Sequence, residues 1–137
     1  MYKPFVASLL AASLAAWGQD RPPAHMEVFR GAVEALANLD VDAFLDQFDR
    51  QMPQYDKLRD EIRELVGTAQ EIGSTVDVIT DEAVSPENEA RKRTLELDWL
   101  LKIDNGEPRR GIVKCQVEQQ GKKWKITALE PVEFFKK

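Results

Sequence analysis

The chain has 137 residues, 43% of them hydrophobic and 31% charged, enough for one domain with a core of its own and too apolar for a disordered chain. Its formal net charge of −5 argues against a nucleic-acid binder, whose affinity comes from neutralising phosphates. The charge is unevenly spread: residues 19–90 carry 17 acidic and 6 basic side chains and residues 91–137 carry 7 and 12, so the two halves of one domain attract each other.

The first residues differ in kind from the rest. Met1-Tyr2-Lys3 carries one positive charge, and Phe5 to Trp17 is apolar or small apart from two serines. Ala16-Trp17-Gly18 then places small residues where a signal peptidase reads them, so residues 1–18 are expected to be a signal peptide cut before Gln19. The apolar run is shorter than the roughly 20 residues a spanning helix needs, and no cysteine follows it to carry a lipid. The expectation is a periplasmic or extracellular protein with no membrane span after cleavage. Cys115 is the single cysteine. An exported chain with one thiol has no internal disulfide, so its core holds unaided.

Residues 19–24, with Arg21-Pro22-Pro23, read as a flexible leader. Met26, Phe29, Val33 and Leu36 then recur at helical spacing and predict a helix from about Ala24 to Asn38. Gly31 inside it costs about 1 kcal/mol relative to alanine, which suggests that another backbone approaches there. Asp40 is a good N-cap for a short second helix marked by Val41, Phe44, Leu45 and Phe48. Pro53 suits the first turn of a third helix. Tyr55, Leu58, Ile62, Leu65 and Val66 give that helix one apolar stripe, and its opposite face is densely charged, as solvated faces usually are.

From Ile72 the period changes. Ser74 to Thr80 is rich in Thr, Val and Ile and predicts a first strand. Ser85 to Asn88 is a turn. A second strand runs from about Glu89 to Ile103, with Leu95, Leu97, Trp99, Leu101 and Ile103 on one dry face and Glu96 and Asp98 on the wet one. Asn105-Gly106 marks a hairpin loop. The third strand, about Arg110 to Gln119, puts Val113, Cys115 and Val117 on one face. The fourth begins at Lys122 and is read with Trp124, Ile126 and Ala128 on its dry face. Pro131 ends regular pairing, and Val132, Phe134 and Phe135 form a last apolar patch.

Together these elements make an α+β chain: three N-terminal helices packed on a curved four-stranded antiparallel sheet. The helix start Phe29 to Val33, the second helix with Asp42-Ala43-Phe44-Leu45, and the closing strand Trp124-Lys125-Ile126-Thr127 leading to Pro131 and Phe134 resemble the nuclear transport factor 2-like superfamily. The resemblance covers about Met26 to Phe135, within a single domain drawn at 25–135. It implies a sheet wrapped around a long helix into a cone. The rival fold is a cystatin-like single helix on a sheet. Members of the superfamily include isomerases, dehydratases, polyketide cyclases and non-catalytic binding domains, so fold alone does not choose a function.

The resemblance implies that an enzyme of this kind holds ionisable groups inside the cone, where burial tunes them. The inward positions read from the second, third and fourth strands contain none. His25, at the helix start beside the leader, is expected to be solvated, and one histidine without cysteine partners makes no zinc site. No phosphate-cradling loop or nucleophile elbow is present. No cofactor is called for. The leading reading is an exported, non-catalytic domain that binds a small apolar molecule or a partner protein, with Phe44, Phe48, Tyr55, Trp99, Cys115 and Trp124 as candidate pocket residues. Simple core packing explains the same aromatics. A pocket enzyme of the isomerase, dehydratase or cyclase type is the alternative. Another is a homodimer or interaction module using the outer sheet face, where Leu100 and Ile112 point away from the core.

Overall fold

A computed structural model describes residues 23–88 and 91–137. The expected signal peptide and most of the expected leader lie outside the described residues. A short 3-10 turn, Ala24–Met26, leads into α1 (Glu27–Ala37), followed by α2 (Val41–Leu45) and α3 (Tyr55–Thr68). The sheet follows as β1 (Ile72–Ala83), β2 (Lys92–Ile103), β3 (Arg109–Gln120) and β4 (Lys123–Glu130), and a 3-10 turn at Val132–Phe135 ends the fold. The strands pair antiparallel in sequence order, β1-β2-β3-β4, so β1 and β4 are the edges. Three helices on a four-stranded meander is the α+β arrangement expected of the pattern.

Local chemistry explains the boundaries. Asp40 caps α2, its Oδ1 accepting from the Ala43 N–H at 3.0 Å. Pro53 is a correction: it precedes α3, which starts at Tyr55 after Gln54 in a left-handed conformation (φ 63°). At the hairpin, Asp104 turns its carboxylate back on the α3–β1 junction, with Oδ1 accepting from the Gln70 and Glu71 N–H groups at 2.8 and 2.9 Å. Gly31 is tight for a different reason than expected. A Cβ there would meet the Gln47 side-chain amide at 2.9 Å, so a side chain, not a backbone, approaches α1.

The helices close the concave face of the sheet. Leu95, Leu97, Trp99 and Leu101 of β2 and Val113 and Val117 of β3 are fully buried against Phe29, Leu36, Phe44, Leu58 and Ile62. The C-terminal turn folds back beneath them. Phe135 meets Trp99 edge-on at 5.1 Å and Phe44 at 5.5 Å. Gly111, opposite Trp99 in the ladder, leaves room for Phe134, whose Cδ1 would lie 2.9 Å from any Cβ at that position. Arg109 fixes the turn by donating to the backbone oxygens of Phe134 and Lys136 at 2.6 and 2.7 Å.

Two register shifts change which side chains face inward. Between β3 and β4 the register slips at Gln116/Val117. Ile126 stays inside opposite Val117, but Ala128 pairs with Gln116 on the outer face and Leu129 takes the inner place opposite Cys115. The expectation that Ala128 shares the dry face is corrected by this bulge. The second shift, in β1, builds the candidate site.

Candidate functional site

β1 and β2 pair in regular register from Ile72↔Ile103 to Val78↔Leu97, then skip Ile79 and resume at Thr80↔Glu96. Before the bulge, Ser74, Val76 and Val78 share the inner face with Leu101, Trp99 and Leu97. A one-residue insertion exchanges the faces of everything after it. Thr80 therefore turns outward beside Glu96, its Oγ1 3.4 Å from Oε1. Asp81 turns inward opposite Leu95, and Arg93 stands on that same inner face opposite Ala83 and Val117.

The turn before α1 drops His25 onto this pair. His25 Nε2 lies 2.7 Å from Asp81 Oδ2, and Arg93 Nε donates to Asp81 Oδ1 at 2.7 Å. The His25 side chain is 10% exposed, and its ring packs against the Trp124 ring, with centroids 5.5 Å apart. Burial alone would raise the Asp81 carboxyl. The hydrogen bonds and positive charges of Arg93 and His25 together outweigh it and hold the carboxyl below its ordinary range. The sequence expectations are corrected here on two counts. His25 is buried and bonded, and the inner face does carry ionisable groups. Asp81 points inward because of the β1 bulge and a strand longer than its Thr/Val/Ile run suggests, Arg93 because it keeps the parity of Leu95 on β2, and His25 is covered because the turn before α1 lays it on both.

The expected pocket residues do not converge on an open space. Phe44, Phe48, Trp99 and Cys115 are packed into the core, each 2% exposed or less. Burial pushes the Cys115 thiol far above its usual value, so it is not a nucleophile. Trp124 is half-buried against His25. Tyr55 is half-buried at the start of α3, where it packs against the margin of the core and lines the cleft between α2 and α3. Glu96 and Asp98 lie on the outer face, where Asp98 pairs with Arg110 at 3.2 Å. Leu100 and Ile112 also lie there, Leu100 half-buried and Ile112 53% exposed.

Space is found at the margins of the core. Between α1 and β1 runs an apolar groove of about 340 Å³ lined by Met26, Phe29, Val33, Ser74 and Val76, with Glu27 and Arg30 at its rim. The Ser74 Oγ here is closed off from solvent and has no hydrogen-bond partner. A second, polar cleft of about 540 Å³ lies between α2 and α3. Among the described residues, no group of three or more His, Cys, Asp or Glu side chains is placed to hold a metal ion. No helix among them is long and apolar enough to cross a membrane.

Neither a protein-family model nor a curated protein sequence matches the chain. Solved structures do. An NTF-2 like protein of unknown function from Shewanella oneidensis superposes with a TM-score of 0.60 at 15% identity, over 76% of this chain and 92% of that one. A protein of unknown function with a cystatin-like fold from Nostoc punctiforme gives 0.55 at 16% identity, over 85% and 90%. A candidate scytalone dehydratase from Novosphingobium aromaticivorans gives 0.65 at 14% identity, over 77% and 78%. The chain therefore has the NTF2-like, cystatin-like α+β fold. Identities this low speak for the fold alone.

Proposed function

We propose that this is an exported, non-catalytic binding domain whose guest is a small, mainly apolar molecule carrying one hydrogen-bonding group, taken up between α1 and β1. The observation that carries this reading is the uncovered inner row of β1. The matching rows of β2 and β3 are sealed, with Leu95, Leu97, Trp99, Leu101, Val113 and Val117 at 0% exposure. On β1, by contrast, Val76 is half-buried and Val78 is 44% exposed. The groove beside them is within the size range of small-molecule sites, and the unpartnered Ser74 hydroxyl, closed off in this rotamer, offers one polar contact once it turns toward the guest.

The His25–Asp81 pair supports an enzyme only weakly, although one structural neighbour is a candidate dehydratase. Both Asp81 oxygens are engaged, one by His25 and one by Arg93, so the carboxylate acts as a clasp and not as a free base.

The test is a titration with 1-anilinonaphthalene-8-sulfonate and displacement by 1-decanol, which carries one hydroxyl on an apolar tail. Saturable enhancement that decanol reverses, and that Val76→Lys abolishes while cooperative unfolding persists, supports the reading. No saturable enhancement, or equal binding by the variant, overturns it. Amino-terminal sequencing of the exported protein tests the compartment: a start at Gln19 supports export with cleavage, and an intact Met1 contradicts it.

A second reading, homodimerisation through the outer sheet face, rests on Ile112 and its diagonal neighbour Leu100. Acidic Asp77, Glu96 and Asp98 stand on the β1–β2 side of this patch, and Arg110 and Lys114 on the β3 side. A twofold axis through it would set acid against base. Light scattering decides: a dimer lost in Ile112→Asp supports it, and a monomer at all concentrations removes it.

A further inference from the structure

We propose that the cleft between α2 and α3 binds a small zwitterion, a molecule bearing a carboxylate and an ammonium group. The cleft has walls of opposite charge. Asp42 and Asp46, one turn apart, come from α2 and its C-cap. Tyr55, Arg59 and Arg63 follow at every fourth residue along one stripe of α3, and Arg50 comes from the connecting segment. Three of the six basic side chains in the acidic half of the chain, residues 19–90, thus meet at one place.

The walls do not close on each other. Among the described residues no ion pair within 4.0 Å joins the aspartates to the arginines across about 540 Å³ of space. Arg59 is turned to Asp56 and Asp60 of its own helix, at 3.2 and 3.3 Å. Among the described residues, the side chains of Asp42, Asp46, Arg50 and Arg63 find no ion-pair or hydrogen-bond partner. Lys125 reaches this region but donates to the backbone oxygen of Asp46, leaving the carboxylate unpaired.

The charge pattern selects the class of ligand. Guanidinium groups grip a carboxylate through paired N–H donors, and the Tyr55 hydroxyl adds a donor beside them. The aspartates opposite would repel a simple anion but accept an ammonium. The arginines would likewise repel a simple cation. Only a ligand with both charges satisfies both walls.

The test uses the full chain, isotope-labelled, titrated with glycylglycine and followed by amide chemical shifts, with acetate and ethylammonium as single-charge controls at equal ionic strength. The expected result is a saturable shift confined to α2, α3 and their connection, weaker for either control. Arg63→Gln and Asp46→Asn, both at exposed positions, should each weaken binding about tenfold, the usual order for one lost charge-assisted contact. The proposal is overturned by no saturable shift up to about 10 mM, by acetate binding as well as glycylglycine, or by both variants binding like the parent. Should a variant fail to fold, the comparison with the two controls on the parent chain decides.

Discussion

His25 and Asp81 are 56 residues apart in the chain and 2.7 Å apart in the fold. Their hydrogen bond fastens the turn before α1 to the far end of edge strand β1, and Arg93 of β2 completes the clasp. An edge strand has only one paired flank. A bond from outside the sheet therefore matters more there than it would on β2 or β3.

Removing Asp81 should unfasten both partners at once. Asp81→Ala leaves a buried imidazole and a largely buried guanidinium without their acceptor, and is expected to cost about 1–3 kcal/mol. His25→Ala should cost less, because the Asp81–Arg93 bond survives. Urea denaturation of the two variants checks the order. An equal or reversed cost would contradict the clasp.

Acid should weaken the fold through the same carboxylate. The Asp81 carboxyl is held below its ordinary value of 3.8 in the folded chain. Its stabilisation is therefore fully present above about that pH and is lost as the pH falls through the folded-state value. The Gln51 backbone N–H and the Gln120 side chain hold Asp49 low in the same way. Thermal melts between pH 3 and 7 should show stability falling below about pH 4. The acid limb should be shallower in Asp81→Asn, where no carboxylate remains to be protonated.

Gly111→Ala tests the packing under Trp99. The added methyl would lie 2.9 Å from the Phe134 ring, and Phe134 cannot swing away freely because Arg109 holds its backbone oxygen. The expected loss is about 1–3 kcal/mol, the usual range for an overpacked core. A neutral effect would mean that the C-terminal turn moves more easily than these contacts allow.

Cys115 should be inert. It is 2% exposed and burial disfavours its thiolate, so Ellman's reagent should react with the denatured chain and hardly at all with the native one. Rapid labelling of native protein would show that the β3–β4 half of the core opens readily.

Much of the fold was legible before any coordinates. The alternation from Thr94 to Ile103, the Asn105-Gly106 hairpin and the Asp40 cap are local signals, and each element they mark is present. Arg93 was missed, because the inward row of the second strand was read only from Leu95 onward, yet the signal for it was there. Arg93 has the parity of Leu95, so its inward position follows from the same alternation. Asp81 left no such signal. Its direction depends on a bulge within Val78-Ile79-Thr80, a β-branched run with no glycine or proline to mark it. By simple alternation it would have faced water.

By itself, then, the order of residues determined the periods: which segments coil, which extend, and which side of each is apolar. Those properties depend on neighbours a few positions away. Only the tertiary structure decided that the aromatics seal the core, that His25 is covered, and that Asp81 points inward. Each of these results from contacts between segments tens of residues apart, and a single skipped residue in one ladder reverses every side chain beyond it.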